Sequence, residues 1–473
     1  MAENKRQVTV IGGGPGGYAA AFLAADLDMD VTLIDPEENP GGICLYRGCI
    51  PSKALLHLAK LISETKDAES WGLKYPDPEI DIDKIRSWKN DVVGKLTGGL
   101  GQLSKRRNVN HIRGTARFKD SKNLEIDLVN GETQSHSFKN AIIATGSYPA
   151  KIPNLAPDSP KILDSTTALE LEDIPKSLLV VGGGYIGLEL GTVYASLGTK
   201  VTVVEMMPGI LPGVDRDLVA QLFKRLDGLF ESVMVSTTVT ETKEQKNGIK
   251  VTLKSEDDET QDKIFDKVLI SVGRKPNSAN LGLENTGVEL DDKGFVKVDA
   301  HRRTTDDNIF AIGDIAGEPM LAHKASHEGR AVVEFISGRD VDFSPRAIPA
   351  VVFTDPEIAW CGMTEEEAKN RNREVDIVKF PWAASGRAAT IGRSDGVTKL
   401  IIDTISERIL GVGIAGPGAG ELIAEGVLAI EMAAVASDLR FTIHPHPTLS
   451  ETLMETADVL YGQSTHYYRP RRK

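Results

Sequence analysis

The sequence predicts an α/β protein built from two Rossmann-like dinucleotide-binding domains and a C-terminal α+β domain. Its 473 residues are too many for one hydrophobic core and indicate about three domains. A glycine-rich unit of strand, helix and strand occurs twice. From about residue 346 the β-rich runs and the helices are segregated rather than alternating, which is typical of an α+β domain.

The duplicated unit covers residues 8–35 and 178–205. Each copy has a β-rich run, the pattern Gly-x-Gly-x-x-Gly, an Ala/Leu-rich helix, and a second β-rich run that ends in an acid. A glycine pattern alone is a weak signal, but the complete unit in register predicts a dinucleotide site. The residues are Gly12, Gly14, Gly17 and Asp35 in the first copy, and Gly182, Gly184, Gly187 and Glu205 in the second.

Each part of this unit has a chemical reason. The glycines allow a tight turn, a close approach of backbone to pyrophosphate, and packing of the helix on the strand. The helix N-terminus favours phosphate, and the acid accepts hydrogen bonds from the adenosine ribose. Two copies therefore predict two cofactors. Glu205 puts a carboxylate where a 2′-phosphate would lie, so the second site is predicted to prefer NAD to NADP.

The other elements follow from local pattern. We expect a helical stretch first, then β-rich segments that complete the two sheets, then the α+β region. In order, the predicted elements are a helical stretch over 52–103, β-rich segments over 111–128, 140–146, 232–240, 249–254, 268–273 and 309–312, strands over 350–353, 376–380 and 398–402, and helices over 417–436 and 449–459.

Composition limits the partners. A net charge of −13 argues against nonspecific binding to nucleic acid or to anionic membranes. No run of about 18 apolar residues predicts a membrane span. No signal or transit segment is recognised, so a cytoplasmic protein is expected, with a processed organellar protein as the alternative. Residues 467–473 are basic and are interpreted as a solvated tail, with a docking arm for an acidic partner as the alternative.

Cys44 and Cys49 are the candidate redox pair. A disulfide needs Cα atoms about 4.4–6.8 Å apart, whereas five residues of straight helix advance about 7.5 Å. The pair therefore needs a distorted turn, which Gly48 can supply, with Pro51 starting the next helix. Cys49 would then lie near a helix N-terminus, which favours a thiolate.

Other interpretations of the three cysteines stay open at this point. Cys44 and Cys49 could form a structural disulfide, bind a metal, or be unrelated thiols, although no second Cys/His cluster supports a metal site and none is predicted. Cys361 stands alone in an apolar context and is predicted to be a buried core thiol.

From about residue 7 to 462 the sequence resembles the pyridine nucleotide–disulfide oxidoreductases, and among them those that oxidise dihydrolipoamide. The resemblance implies FAD on the first dinucleotide unit, NAD on the second, and a homodimer formed by the C-terminal domain. The motifs that support it lie at residues 41–53, 144–146, 182–191, 273–277, 312–314, 320–325 and 444–451.

The resemblance also implies the domain boundaries and the cofactor residues. The domains would be an FAD-binding first segment (1–148), an NAD-binding domain (149–275), a second FAD-binding segment (276–345) and a dimerisation domain (346–473). The FAD site would comprise Gly12, Gly14, Gly17, Asp35, Gly42, Lys53, Thr145, Gly146, Asp314, Met320, Leu321, Ala322 and His323. The NAD site would comprise Gly182, Gly184, Tyr185, Ile186, Gly187, Glu189, Glu205, Val239 and Gly273.

The catalytic roles come from the same resemblance. A substrate thiolate would attack Cys44 and release Cys49, which passes electrons to the flavin. Lys53 would pair with Glu189 beside the flavin. His446 would be the acid–base, oriented by Glu451 and reaching the cysteines of the other subunit, whereas His444 would not be the base.

The implied reaction is FAD-dependent oxidation of dihydrolipoamide to lipoamide with reduction of NAD⁺. The implied partners are the lipoyl domains of an acyltransferase or a glycine-cleavage carrier protein, with peripheral docking to a multienzyme complex. The alternatives are another NAD(P)H-dependent flavin disulfide reductase and a non-catalytic flavoprotein docking subunit. The sequence departs from the family at Asp35 and His327, where a Glu is usual, and at Tyr185, which is often aliphatic and in some relatives gates the nicotinamide pocket.

Overall fold

The N-terminal segment contains the first strand–helix–strand unit and the two cysteines. The computed structural model describes residues 7–152, 155 and 159–468, so the basic residues 469–473 of the predicted tail lie outside it. The elements of this segment are β1 (Gln7–Ile11), α1 (Pro15–Asp26), β2 (Asp30–Ile34), α2 (Gly42–Arg47), α3 (Cys49–Asp67), α4 (Ile82–Arg106), β3 (Asn110–Ile112), β4 (Gly114–Asp120), β5 (Asn123–Leu128), β6 (Thr133–Ser137), β7 (Asn140–Ile143) and β8 (Ser147–Pro149).

The second segment repeats the arrangement. Its glycine loop joins a central strand to a helix, as in the first segment. The elements are β9 (Ile162–Leu163), α5 (Ser165–Glu170), β10 (Ser177–Val181), α6 (Tyr185–Ser196), β11 (Lys200–Val204), α7 (Arg216–Leu229), β12 (Ser232–Met234), β13 (Thr237–Gln245), β14 (Gly248–Ser255), β15 (Thr260–Phe265), β16 (Lys267–Ile270) and β17 (Arg274–Pro276).

A short third segment returns to the first sheet, and the fourth forms a separate layer. The third contributes β18 (Ile309–Ala311) and α8 (Ala322–Ile336). The elements of the fourth are β19 (Ala350–Val352), β20 (Ile358–Gly362), α9 (Glu365–Asn370), β21 (Val375–Pro381), α10 (Gly386–Thr390), β22 (Val397–Asp403), β23 (Ile409–Ala415), α11 (Ala419–Glu431), α12 (Ala436–Phe441) and α13 (Glu451–Tyr461).

The sheet topology confirms the predicted fold class. The first unit has a five-stranded parallel sheet in the order β18-β7-β1-β2-β3, and the second has one in the order β12-β11-β10-β16-β9. Each glycine loop follows the central strand of its sheet, at the carboxyl edge where dinucleotides bind in doubly wound folds. The C-terminal sheet, β19-β20-β23-β22-β21, is antiparallel and carries its helices apart from the strands. The domain boundaries themselves stay a prediction.

Three predicted elements are divided. The helical stretch over 52–103 is two helices, because a turn at Gly72, with φ +92°, and the prolines at 76 and 78 separate α3 from α4. The side chain of Asp81 then starts α4 by accepting a bond from the Lys84 N–H at 3.0 Å. The segment over 232–240 is divided between β12 and β13, and the helix over 417–436 is divided between α11 and α12.

One hydrophobic cluster fixes the cysteine-bearing helix to the rest of the molecule. Leu55 and Leu56 of α3 are buried in the same cluster as Leu188 of α6 and Val352 and Ile358 of the C-terminal domain. Burial of such side chains contributes about 1.5–3 kcal/mol each. The position of Cys49 at the start of α3 is therefore set by three parts of the chain. Within the described residues, no helix is both long enough and apolar enough to cross a bilayer.

Candidate active site

The two cysteines lie on either side of a sharp break between helices. Cys44 belongs to α2, Cys49 begins α3, and Gly48 between them has φ −145° and ψ −109°. This confirms the distorted turn expected from the spacing. The following helix begins at Cys49 itself rather than at Pro51, so the Cys49 backbone is part of the first turn, where unpaired N–H groups stabilise a thiolate.

The structure has both residues as thiols in hydrogen-bond contact, and it distinguishes their acidities. The bond from the Cys44 thiol, opposed by burial and assisted by the charge of Lys53, lowers the pKa of Cys49 to about 7. The same bond and burial raise the pKa of Cys44. When the pair is reduced, the negative charge therefore belongs on Cys49.

Lys53 lies one helical turn after Cys49 and pairs with a buried carboxylate. Its Nζ donates to Glu189 Oε2 at 2.8 Å, and the ammonium group lies 4.6 Å from the centre of the Phe353 ring. The Phe353 N–H donates to Glu189 Oε1 at 2.9 Å. Glu189 is only 3% exposed, so both of its oxygens are satisfied by fixed partners. The pairing of Lys53 with Glu189 was expected, and the structure adds Phe353.

A cavity of about 430 Å³ joins the first glycine loop to the cysteine pair. Its wall includes the predicted ribose acid at one end and both cysteines at the other, with α6 of the second unit alongside. The predicted site residues that line it are Gly12, Gly14, Asp35, Gly42, Cys44, Cys49, Lys53, Thr145, Gly146, Tyr185, Ile186, Glu189, Asp314, Met320 and Ala322.

The first glycine loop holds its acid by two backbone bonds. The Gly13 N–H donates to Asp35 Oδ2 at 2.6 Å, and the Glu37 N–H donates to Oδ1 at 3.0 Å. Burial nevertheless raises the pKa of Asp35. Each oxygen keeps a lone pair that a ribose hydroxyl can use.

The residues of this cavity fit FAD. A Cβ at Gly42, where φ is +58°, would lie 2.5 Å from Gly14 Cα, so α2 approaches the phosphate loop with no side chain between them. A Cβ at Gly14 would meet no atom within 4 Å, which leaves the loop open on the cavity side. Asp314 accepts a bond from the Ser147 hydroxyl at 2.5 Å and faces the cavity, where it can accept from a polyol chain.

The second glycine loop has the same construction. The Gly183 N–H and the Met207 N–H each donate to Glu205 at 2.7 Å. Gly182 has φ +107°, and a Cβ there would lie 2.5 Å from Ser271 O. Its surroundings are more open than those of the first loop, because Met206 is 70% exposed.

Several predicted cofactor residues lie off the cavity wall. Gly17 and Gly187 pack a helix against the loop before it, since a Cβ would lie 1.9 Å and 2.3 Å from the first-glycine carbonyl oxygen of each loop. Val239 is 6% exposed and belongs to the core of the second unit. Their assignment to cofactor binding stays a prediction, as it does for Gly273, which has φ +113° just after β16.

Leu321 and His323 also lie outside the lining of the cavity, although Met320 and Ala322 belong to it. The His323 ring bonds to Pro349 O at 2.8 Å, and burial lowers the pKa of His323. Tyr185 does line the cavity. Although the residue as a whole is 41% exposed, desolvation of its hydroxyl, opposed by the charge of Arg274 and assisted by nearby carboxylates, raises the pKa of that hydroxyl to about 12, so the group is a neutral donor at neutral pH.

His446 and Glu451 form the expected pair. His446 Nδ1 lies 2.9 Å from Glu451 Oε1, and the Thr448 N–H donates to Oε2 at 2.7 Å. Burial opposes these bonds, but together they lower the pKa of Glu451, which stays a carboxylate. With the proton on Nδ1, Nε2 of the neutral ring keeps its lone pair and can accept a proton. His446 is 69% exposed and does not line the cavity of its own chain.

The neighbouring histidine and the third cysteine have structural roles. His444 bonds to Glu425 at 2.7 Å and to Thr442 O at 2.9 Å, so both ring nitrogens are in use. This agrees with the expectation that His444 is not the base. Cys361 is 1% exposed, and burial raises its pKa to about 12, which confirms the predicted core thiol.

Three acids converge elsewhere among the described residues: Asp215, Asp217 and Glu365. The ammonium of Lys399, which is fully buried, lies 2.5, 2.8 and 2.7 Å from them. A lysine therefore supplies the positive charge at this cluster, and no metal is needed there.

Sequence reasoning missed two contributors. Phe353 lies over Lys53, but nothing local connects it with a helix 300 residues earlier. Arg47 pairs with Glu37, and both line the cavity. A signal existed in this second case, because Arg47 stands between the cysteines and Glu37 lies two residues after Asp35.

Comparison with known proteins gives the same picture. Residues 6–329 match the pyridine nucleotide-disulphide oxidoreductase family, and residues 348–457 match the dimerisation domain of that family. The chain is 46% identical to a dihydrolipoyl dehydrogenase of Vibrio cholerae over 98% of this chain and 97% of the relative. It is also 46% identical to one of Thermus scotoductus over 97% and 98%.

Solved structures share the whole fold. LpdA from Mycobacterium tuberculosis superposes with a TM-score of 0.89 at 27% identity, covering 96% of this chain and 99% of that one. The HOCl-induced flavoprotein disulfide reductase RclA from Escherichia coli, solved as a Cu(II) complex, has a TM-score of 0.86 at 28% identity, covering 97% of this chain and 100% of that one.

Proposed function

The chain belongs to the pyridine nucleotide-disulphide oxidoreductase family, and from this premise we propose that it oxidises dihydrolipoamide to lipoamide and reduces NAD⁺ to NADH through FAD and a Cys44–Cys49 disulfide. The observation that most directly supports this is the position of the cysteine pair. A close pair with an acidic Cys49 lies between two dinucleotide units, beside the ion pair of Lys53 with the buried Glu189.

His446, Cys44 and Cys49 have separate roles in the oxidation of the dithiol. His446, supplied by the partner subunit and held by Glu451, takes a proton from the first substrate thiol. The resulting thiolate attacks Cys44, the Cys44–Cys49 bond breaks, and Cys49 leaves as a thiolate stabilised by the start of α3 and by Lys53. The second substrate thiol then displaces Cys44, which takes up a proton as it leaves.

The cavity residues would hold the cofactor that completes the reaction. Asp35 would bind the adenosine ribose, the loop at Gly12–Gly14 the pyrophosphate, and Asp314 the ribityl chain. Bound FAD supplies the hydride chemistry that a dithiol lacks. Lys53 and Glu189 would face its reactive edge, and Tyr185 would lie between the cavity and the second unit.

A homodimer completes the site. The match to a dimerisation domain supports it, and so does the exposed apolar surface on α11 and α12 and in the loop that precedes His446. Leu428, Met432, Phe441 and Ile443 are 61%, 73%, 74% and 94% exposed in the single chain. We assign the lipoyl domain of a larger complex as the macromolecular substrate.

The deciding experiment is an anaerobic titration of the purified holoprotein with dihydrolipoamide, followed by visible absorption. A long-wavelength band from thiolate–flavin charge transfer should appear, and NADH should form when NAD⁺ is added. Cys49→Ala should abolish the band, whereas Cys361→Ala, in the C-terminal core, should keep it.

Two results would contradict the proposal. A flavoprotein that dihydrolipoamide does not reduce, with Cys44→Ser equal to the unsubstituted protein, would indicate a non-catalytic docking subunit. Reduction only by another dithiol or by NADPH would indicate a different reductase of the same family.

A further inference from the structure

Two glutamates of helix α13 each bond to a histidine outside the helix, and the proposed reaction uses only one of these two pairs. Glu451 and Glu455 are four residues apart and therefore lie on the same face, with Cβ atoms about 5–6 Å apart. Glu451 holds His446. Glu455 holds His466, whose Nδ1 lies 2.6 Å from Glu455 Oε1.

The second pair is built into the fold. The Glu455 side chain is 5% exposed, and it also accepts bonds from the Ser464 hydroxyl at 2.6 Å and the Thr465 N–H at 3.2 Å. The Tyr467 N–H donates to Ser464 Oγ, and its ring packs edge-on against Phe380 with centroids 6.3 Å apart. These contacts bring the chain after α13 back along the helix and fix His466, which is 53% exposed.

Most of the charged side chains near this pair form ion pairs with other residues. On α13 itself, Asp458 bonds to Arg440 of α12 at 2.9 Å. On the neighbouring strands, Lys379 of β21 and Lys399 of β22 are paired with Asp217 and its neighbours. On the loop before α13, His444 is bonded to Glu425 at 2.7 Å. Glu455 and His466, by contrast, pair with each other, and Glu455 lies on the helix face that also carries Glu451.

We propose that His466 and Glu455 form a second, non-catalytic pair that sets the pH range in which His446 can accept a proton. This inference rests on the proposed function, in which His446 is the base. His466 is a positioning residue, since it acts through the charge that it places beside the His446–Glu451 pair.

The sign follows from electrostatics. With an imidazolium at position 466, the pair has no net charge. Removing the imidazole leaves the charge of Glu455 alone, which stabilises protonated His446 and delays loss of its proton to higher pH. For unit charges on the order of 10 Å apart near a protein surface, the shift is about 0.5 pH unit.

The test compares variants that differ in the net charge of the second pair, all as dimeric holoenzyme. His466→Gln should raise the midpoint of the acid limb of kcat/KM for dihydrolipoamide by about 0.5 pH unit. His466→Lys retains the positive charge, and the double variant His466→Gln/Glu455→Gln removes both charges. Both should keep the original midpoint. His301→Gln removes a His–Asp pair of similar length (3.0 Å to Asp342) in another part of the chain and should change nothing.

A purely structural role would give another pattern, with the double variant at least as impaired as the single one and no shift of the midpoint. That result would overturn the proposal, as would equal shifts in all three variants. If His466→Gln fails to retain FAD, His466→Asn takes its place. NMR titration of the His446 ring, which needs no turnover, carries the same test if the reaction itself proves to be different.

Discussion

The two dinucleotide units have the same loop but different surroundings. The first glycine of each loop has nearly the same φ, +106° at Gly12 and +107° at Gly182. In each unit the acid accepts one bond from the second residue of the loop and one from the residue two positions after the acid itself. The repeated sequence therefore produces a repeated local structure down to individual hydrogen bonds.

The difference lies in what covers each loop. Helix α2 lies against the first loop so closely that a Cβ at Gly42 would collide with Gly14, and the loop opens into the cavity with the cysteines. The second loop is met by a turn rather than a helix, since the Leu211 N–H donates to the Gly183 carbonyl at 2.9 Å, and Met206, Met207 and Val272 beside it are 70%, 45% and 39% exposed. We therefore propose that the motif specifies how a dinucleotide is bound, and that the closer cover of the first loop retains FAD whereas the more exposed second loop exchanges NAD.

The largest effect of a single substitution is expected at Lys53, where the two dinucleotide units meet. Lys53→Met would leave Glu189 buried without its cation and would remove the charge that helps to lower the pKa of Cys49. We expect the free energy of unfolding to fall by about 3–5 kcal/mol, because an uncompensated buried charge is left behind, and turnover to fall because the Cys49 thiolate loses the nearby positive charge. Lys60→Met, on the same helix, removes only an exposed pair with Glu64 at 4.0 Å and should be silent.

The same variant has a pH signature. The pKa of Cys49 is lowered from 9.0 to about 7, so the thiolate is present above about pH 7 and is lost below it. The charge-transfer band of the reduced protein should fade as the pH drops through this value, and in Lys53→Met the fading should occur at higher pH. Equal midpoints in the two proteins would show that Lys53 does not control this thiolate.

A matched pair of glycine substitutions tests the comparison of the loops directly. Gly14 and Gly184 both have negative φ, and a Cβ at either would meet no atom within 4 Å, so neither Gly14→Ala nor Gly184→Ala should disturb folding. In each case the methyl group occupies space for the cofactor. We expect about 100-fold weaker binding, from a loss of about 3 kcal/mol.

The two variants should fail in different ways. Gly14→Ala should be isolated with little FAD, as absorption and reconstitution of the apoprotein would show. Gly184→Ala should retain FAD and its reduction by dihydrolipoamide while the KM for NAD⁺ rises. Loss of FAD in both variants would contradict the division of cofactors between the loops.

A smaller effect is expected at the second acid. Glu205→Gln keeps the shape of the side chain but removes one of two charge-assisted bonds, because the amide nitrogen cannot accept from a backbone N–H, and it leaves the other bond to a neutral oxygen. The KM for NAD⁺ should rise about tenfold, equivalent to about 1.4 kcal/mol, with FAD content unchanged. Glu231→Gln, which removes a surface pair with Lys200 at 3.8 Å in the same unit, is the control and should leave this KM as it was.

Local pattern was enough to predict the repeated parts of the molecule but not the contacts between its segments. The βαβ units, the distorted turn at Gly48 and the core position of Cys361 follow from spacing and residue type, because each depends on neighbours in the chain. The stacking of Phe353 on Lys53 depends on the docking of the C-terminal domain, and no periodicity records it. The break at Gly72 was missed because helical signals on both sides merged into one stretch.

The smallest effect on cofactor binding is expected at Asp35, the acid of the first unit, where the family usually has Glu. Asp35→Glu should change FAD dissociation by less than about threefold, equivalent to less than about 0.7 kcal/mol. The second unit gives the reason: Glu205 occupies the equivalent place and accepts bonds from the equivalent two N–H groups, so this loop can take up an additional methylene. The measurement is the rate of FAD release from the holoprotein in mild denaturant. A release rate raised by tenfold or more would show that the close contact of Asp35 with Gly13, where a Cβ would lie 3.0 Å from the carboxyl carbon, makes the first loop less tolerant than the second.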